Sequence, residues 1–266
     1  MTGEWFCLHL DGNGGTAGPE ELAAWRGEFD LIRGLPGSVP WFFDRLDDGF
    51  LLWIRTDTWN RHELVRQFRS AAANRGLRVV RRAAAPPTAR LTDPRDRHHA
   101  EELALASSEL ALDLCRAGEP AAGSELTAAV LHVWSVLGGV DDRSRASFLF
   151  SLWENWTRRM RPHQRVALAA RAADPVPAGT EALFADSRFH AAWHHQLRVV
   201  ARVARDGGAT PVNYLLYEHA KTSAARLGLS PDSLALAAAM LRGAVLAGTV
   251  TAHPAVRAPE PVPVAR

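Results

Sequence analysis

The hydrophobic pattern of this chain changes period once, across a Pro-rich connector, and that change decides what it can fold into. Before the connector, EWFCLHL, VPWFFDRL, FLLWIRTD and LRVVRR alternate or run as short aromatic-rich stretches, which is the pattern of strands. Two helical segments sit among them. PEELAAWRGEFDLIRG opens on Pro and acids and ends on Gly, and WNRHELVRQFRSAAANRG carries apolar spacing. The order through residue 82 is therefore strand, helix, hairpin, helix, strand, with Asp47-Asp48-Gly49 as the hairpin turn. After AAAPPTARLTDPRD, from His98 onward, apolar residues recur every three or four positions in seven successive segments.

These readings predict an α+β fold: a small, mostly antiparallel N-terminal sheet with helices, followed by a predominantly helical C-terminal half. They predict one domain over residues 1–253, with its sheet layer in 1–82 and its helical half in 98–253. The Pro-rich tail, 254–266, is expected to be disordered.

Composition removes several functions. A net charge of +2 is too small for a nucleic-acid partner, and Lys221 is the single lysine. Cys7 and Cys115 stand alone, without metal-ligand spacing, and read as small buried hydrophobes in a reducing compartment. The N-terminus lacks the pattern of a signal peptide and no stretch is apolar enough to span a bilayer, so a cytoplasmic protein without a membrane partner is expected. The pairs His98-His99 and His194-His195 lack the spacing and the catalytic Glu of a zinc site. Ser124 lacks the second glycine of a nucleophile elbow, and Gly12, Gly14 and Gly15 are not followed by the rest of a phosphate loop.

What stands out is aromatic. Nine tryptophans against two tyrosines favour large flat side chains, and Trp41, Trp53, Trp153 and Trp156 each lie within three residues of a charged or amide residue. They read either as core or as the lining of a cleft for a flat heterocyclic substrate.

Together these segments resemble the C-terminal elimination domain of class I lanthipeptide dehydratases and, within that superfamily, the stand-alone pyridine synthases of thiopeptide biosynthesis. The residues that carry the resemblance are EWFCLHL, then WFFDR where the elimination enzymes have Phe-x-x-Arg, and LLWIR where they have His-Leu-Arg-Leu-Arg. LASSELALDL stands for a Ser-x-x-Ala-Leu helix, and KTSAARLG for His-Met-x-x-Asn-Arg-Leu-Gly. Arg45 and Arg55 persist, but Trp53 replaces the inner arginine, Lys221 falls where the histidine belongs, and the Tyr-x-x-Glu segment is absent. Elimination of glutamate needs a base and cations for the enolate. Their loss implies the pyridine synthase activity: a formal aza-[4+2] cycloaddition of two dehydroalanines in a leader-bearing azole peptide, with loss of water and leader. The alternatives are a stand-alone glutamate-elimination enzyme and a non-catalytic precursor-binding scaffold.

The resemblance implies no metal and no organic cofactor. The implied partners are the modified precursor peptide and other biosynthetic enzymes. Tyr217, His219, Lys221 and Arg55 are the candidate catalytic residues, with His219 or Tyr217 as acid–base and Lys221 as a cation near the amide oxygen. Arg45, Trp53, Asn155, Trp156, Trp193, His194 and Tyr214 are the candidate substrate-binding residues. Each has a plainer reading as core or solvated surface. Arg45 and Arg55 are expected on one sheet face over a polar cavity, with Phe42, Phe43 and Ile54 on the packed face. The rival is an ion pair of Arg45 with Asp44 or Asp47. Of His194 and His195, one is expected to be solvated and the other packed. An extended leader is expected at a sheet edge, with Arg61, Arg66 and Arg69 beside it.

Overall fold

The computed structural model describes residues 3–11, 19–35, 39–116, 125–173 and 187–249. The glycine cluster 12–15, Ser124 and the tail 254–266 lie outside the described residues, and for 187–192 only the backbone is described. The fold is α+β. Its residues gather into two compact units. One comprises Met1–Ala122, Gly208–Thr210 and Lys221–Ser230; the other comprises Gly123–Gly207, Pro211–Ala220 and Pro231–Arg266.

The first unit holds four strands, β1 (Glu4–Asp11), β2 (Trp41–Leu46), β3 (Gly49–Thr56) and β4 (Val79–Arg82), in an antiparallel sheet of order β2-β3-β1-β4. Asp47-Asp48 makes a two-residue hairpin loop that pairs Leu46 with Gly49, where φ of 150° requires glycine. That register fixes the faces. Phe6, Leu8, Leu10, Trp41, Phe43, Phe50, Leu52 and Ile54 join one core, built with Leu22, Trp25, Phe29, Ile32, Leu64 and Phe68 from α1 (Pro19–Ala24), α2 (Arg26–Arg33) and α3 (Thr58–Ala73). The single helix expected at 19–34 breaks at Trp25, whose side chain is fully buried and stacks on Phe68 at 6.1 Å. Burying that indole outweighs one unbroken turn of helix.

Alternate strand residues Trp5, Cys7, Phe42, Leu51 and Trp53 form a second cluster on the opposite face, joined by Ala104 of α4 (Pro94–Arg116). Phe42 thus lies across the sheet from Phe43, not beside it as expected. Helix α4 begins four residues before His98, because Asp93 accepts hydrogen bonds from the Arg95 and Asp96 N–H groups and Pro94 tolerates the first helical position. A buried Cys7 thiol, pushed up to about 11 by desolvation, has no thiolate to offer near neutral pH.

The second unit is helical: α5 (Glu125–Leu137), α6 (Arg145–Thr157), α7 (Pro162–Arg171), α8 (Ser187–Asp206), the first part of α9 (Val212–Leu227) and α10 (Pro231–Leu246). Helix α10 packs on α5, α6 and α7, and α5 packs on α8. The boundary between the units passes through α9, between Ala220 and Lys221. Gly139 is where a loop, α8 and α9 approach too closely for a side chain. A Cβ there would lie 2.7 Å from Val200 Cγ1 and 2.9 Å from Leu216 Cδ1. Gly139→Val is expected to cost about 1–3 kcal/mol in urea unfolding.

His132 supplies a pH-dependent term. It is fully buried, its Nε2 lies 3.0 Å from the Ala220 carbonyl, and desolvation lowers its pKa to about 4. The neutral ring in the fold binds fewer protons than the unfolded chain between about pH 6.5 and pH 4, so stability is held above that window and lost as pH falls through it. Relative to His132→Leu, the native chain should lose about 3 kcal/mol more across this window, as read by urea titrations at each pH.

Candidate functional site

Arg45 and Arg55 lie on opposite faces of the sheet, which corrects the expectation that they share one. The two-residue loop pairs Arg45 with Phe50 and Phe42 with Trp53, so Arg45 falls on the Phe43 face and Arg55 on the Trp53 face. The Arg45 guanidinium sits over the Phe50 ring at 5.9 Å and donates from Nε to the Arg226 carbonyl at 2.8 Å. Burial pulls its pKa below the ordinary arginine range. Asp44 pairs instead with Arg226, at 2.7 Å.

Arg226 is the best-anchored charge in the first unit. With 3% exposure it donates from Nε to the Phe43 carbonyl at 2.6 Å, from Nη1 to Ser107 Oγ at 2.9 Å and from Nη2 to Asp44 Oδ1, over the Phe42 ring. The Phe43 N–H donates to Ser108 Oγ at 3.2 Å. The outward backbone groups of Phe43 on edge strand β2 are thereby satisfied by side chains from α4 and α9. The Ala225-Arg226-Leu227-Gly228 segment ends α9. Gly228, at φ of 71°, donates to the Ala225 carbonyl, and Leu229 donates to Ala224.

On the same face as Trp53, Arg55 Nη1 meets Glu101 Oε2 at 3.0 Å, with the guanidinium over Trp5 at 5.4 Å. Glu101 is 6% exposed, and its Oε1 has no hydrogen-bond partner among the described residues. Beside this row lies a cavity of about 530 Å³ bounded by Trp53, Asp44, Leu51, Pro86, Pro87 and Arg90. Trp53 stacks on Phe42 at 5.3 Å, and its Nε1–H is buried without a partner among the described residues. An apolar wall of Trp53, Leu51 and two prolines, edged by the Asp44 carboxylate and the Arg90 guanidinium, suits a flat ring. Arg55→Met should cost about 1 kcal/mol, because Glu101 loses its cation while Arg55 is itself partly solvated, a loss measurable by chemical denaturation.

In the second unit His219 is buried, and its Nε2 lies 2.7 Å from Gln196 Nε2, so the pair meets ring to amide. Tyr217 is half-buried, edge-on to Phe148 at 6.5 Å, and Tyr214 is exposed. Tyr217 and His219 are two positions apart and so point to opposite sides of α9. Lys221, half-buried in the part of α9 that belongs to the first unit, shares the Tyr214 and Tyr217 side. Trp156 and Trp193 are buried, and Asn155 is half-buried. Trp153 stacks on Phe150 and carries Arg165 at 4.7 Å. His194 and His195 are both half-buried, where one solvated and one packed ring were expected. Arg61 and Arg66 are paired with Glu4 and Glu63.

The residues that sequence reasoning missed are Glu101, Ser107 and Ser108, together with the clamp made by Arg226. Their signal was there: Glu101, Ala104 and Ser108 recur at three and four along α4, a stripe of small and polar groups that lets a helix lie close to a strand.

Compared by sequence, the chain matches no known family model and no curated protein. Compared by structure, it shares its α+β fold with solved structures at low sequence identity. The tRNA-dependent lantibiotic dehydratase MibB from Microbispora sp. 107891 superposes with a TM-score of 0.61 at 16% identity over 91% of this chain, and the chain spans only 28% of that protein. The pyridine synthase TbtD from thiomuracin biosynthesis superposes with a TM-score of 0.64 at 15% identity, over 91% of this chain and 98% of TbtD. Among the described residues no helix is long and apolar enough to cross a membrane.

Proposed function

We propose that this protein is a thiopeptide pyridine synthase, joining two dehydroalanines of a leader-bearing azole peptide by a formal aza-[4+2] cycloaddition. The observation that carries the reading is the fold match to a pyridine synthase, which extends over 91% of this chain and 98% of that protein. The sequence departures support it: Trp53 and Lys221 stand where the elimination enzymes place an arginine and the catalytic histidine.

In this reaction one dehydroalanine and its preceding amide, as the iminol, form the azadiene, and the other dehydroalanine supplies the alkene. The two methylene carbons bond to each other, and the iminol carbon bonds to the α-carbon of the alkene. Loss of the iminol oxygen as water and of the leader as an amide, with one proton from each former methylene, leaves the pyridine. The enzyme's main contribution is orientation, worth about 7–11 kcal/mol in favourable cases.

The cavity against Trp53 holds an azole ring, and Arg55, braced by Glu101, faces a carbonyl of the same peptide. Tyr217 exchanges the iminol proton, Lys221 stabilises the amide oxygen, and Tyr214, Asn155, Trp156, Trp193 and His194 serve binding. Arg45 is withdrawn from substrate contact, because its guanidinium is spent on the Arg226 carbonyl. Mass spectrometry tests the reading on a dehydrated azole peptide with its leader attached. Release of the leader as a C-terminal amide supports it. Loss of glutamate from a glutamylated peptide with the leader retained marks an elimination enzyme, and binding without a mass change marks a scaffold.

A further inference from the structure

The two edges of the sheet differ in a way that assigns one of them a partner. At the β2 edge the outward groups of Phe43 are taken by Ser108 and Arg226. At the other edge, the Asp11 N–H donates to the Arg78 carbonyl at 3.0 Å, which sets Asp11, His9 and Cys7 as the β1 residues bonded toward β4. Val80 and Arg82 therefore spend their backbone groups inward, while Val79 and Arg81 turn theirs outward. No backbone or side-chain group among the described residues takes up those outward groups.

The flanks specify the occupant. Arg78 and Arg81 are exposed, Arg78 with its Nε 3.8 Å from Asp11 Oδ2, and Arg82 lies beside them, with its Nη2 3.2 Å from His9 Nδ1. The exposed run Ala83-Ala84-Ala85 after β4 offers no bulk to obstruct an approaching chain. Where β4 ends and β1 continues, a hollow of about 470 Å³ opens between Trp5, Phe6, Arg81, Arg82, Ala83 and Ala84, large enough for a side chain of an added strand. A second copy of β4 would set arginine against arginine across the new pairing, which disfavours self-association. An acidic strand meets the reverse situation.

We propose that the outer edge of β4 docks an extended, acidic peptide segment by strand addition, with Val79 and Arg81 supplying the main-chain bonds and Arg78, Arg81 and Arg82 the charge. The inference rests on the reading of the protein as a peptide-modifying enzyme, and it moves the docking surface from the helix arginines Arg61 and Arg66 to the strand edge.

The test uses the full chain and a labelled synthetic peptide of alternating Glu and Val, followed by fluorescence anisotropy and by amide hydrogen exchange. Binding that weakens with added salt, falls about tenfold or more in the Arg78→Glu/Arg81→Glu variant, and slows exchange at the Val79 and Arg81 amides supports the proposal. It is overturned by equal binding of a Lys-Val peptide, by unchanged binding in the variant, by protection elsewhere only, or by dimerisation of the free chain through β4 in sedimentation. The functional reading fails separately. If the edge binds peptide and the azole substrate is recovered unchanged, docking stands and the cyclase does not. If cyclisation proceeds in the variant at an unchanged KM, the cyclase stands and docking does not.

Discussion

Replacing Arg226 with Met is expected to destabilise the protein by about 3 kcal/mol. The substitution leaves Asp44, the Phe43 carbonyl and Ser107 without the donors they now share, inside a region where water replaces them poorly. Unfolding by urea should shift to a lower midpoint with an unchanged slope, since the surface exposed on unfolding is the same. Arg226→Lys should recover less than half of the loss, because an ammonium cannot reach three acceptors set around a planar fork. In a double-mutant cycle, Asp44→Asn should be strongly non-additive with Arg226→Met. Additive effects would mean that the arginine acts through packing on Phe42 alone. The clamp also holds the chain that leads into Lys221, so activity should fall with stability in this variant.

The largest effect on catalysis is expected at Tyr217. Tyr217→Phe keeps the edge-on contact with Phe148 and removes only the hydroxyl, so the fold should hold while kcat drops about 10²- to 10³-fold. His219→Gln provides the contrast. His219 is buried against Gln196, on the other side of α9, and its loss should lower the unfolding midpoint with a much smaller change in kcat. The pair distinguishes the two acid–base candidates that the sequence left open. A large, pH-dependent fall in kcat for His219→Gln at intact stability would reverse the assignment.

Much of the fold was legible because its signals are local. Three strands follow from aromatic-rich runs and the fourth from the β-branched pair Val79-Val80, and the hairpin follows from Asp-Asp-Gly. The same loop contained the register: two residues between Leu46 and Gly49 force Arg45 opposite Phe50, which already separates Arg45 from Arg55. Reading the two arginines as one pair ignored that parity. The start of α4 was also local, in Thr92-Asp93-Pro94, but its prolines passed for a linker.

Other features depended on distant partners. The break at Trp25 exists because the indole finds Phe68, and the role of Arg226 depends on Phe43, Asp44 and Ser107, each more than a hundred residues away in the chain. The Arg-Leu-Gly signature carries part of the resemblance to the elimination enzymes, and the structure uses it as a helix stop and an edge clamp. Conversely, Glu101 went unnoticed because a carboxylate in the first turns of a long helix usually faces solvent.

One spectrum tests the central claim most directly. The substrate is a leader-bearing azole peptide in which the methylene carbons of both reacting dehydroalanines are carbon-13, and the purified protein converts it under single-turnover conditions. The account predicts that both alkene methylene signals disappear and that the labelled carbons return as aromatic ring carbons sharing a one-bond carbon–carbon coupling. Two labelled methylene signals that persist uncoupled after the protein has bound the peptide would contradict it.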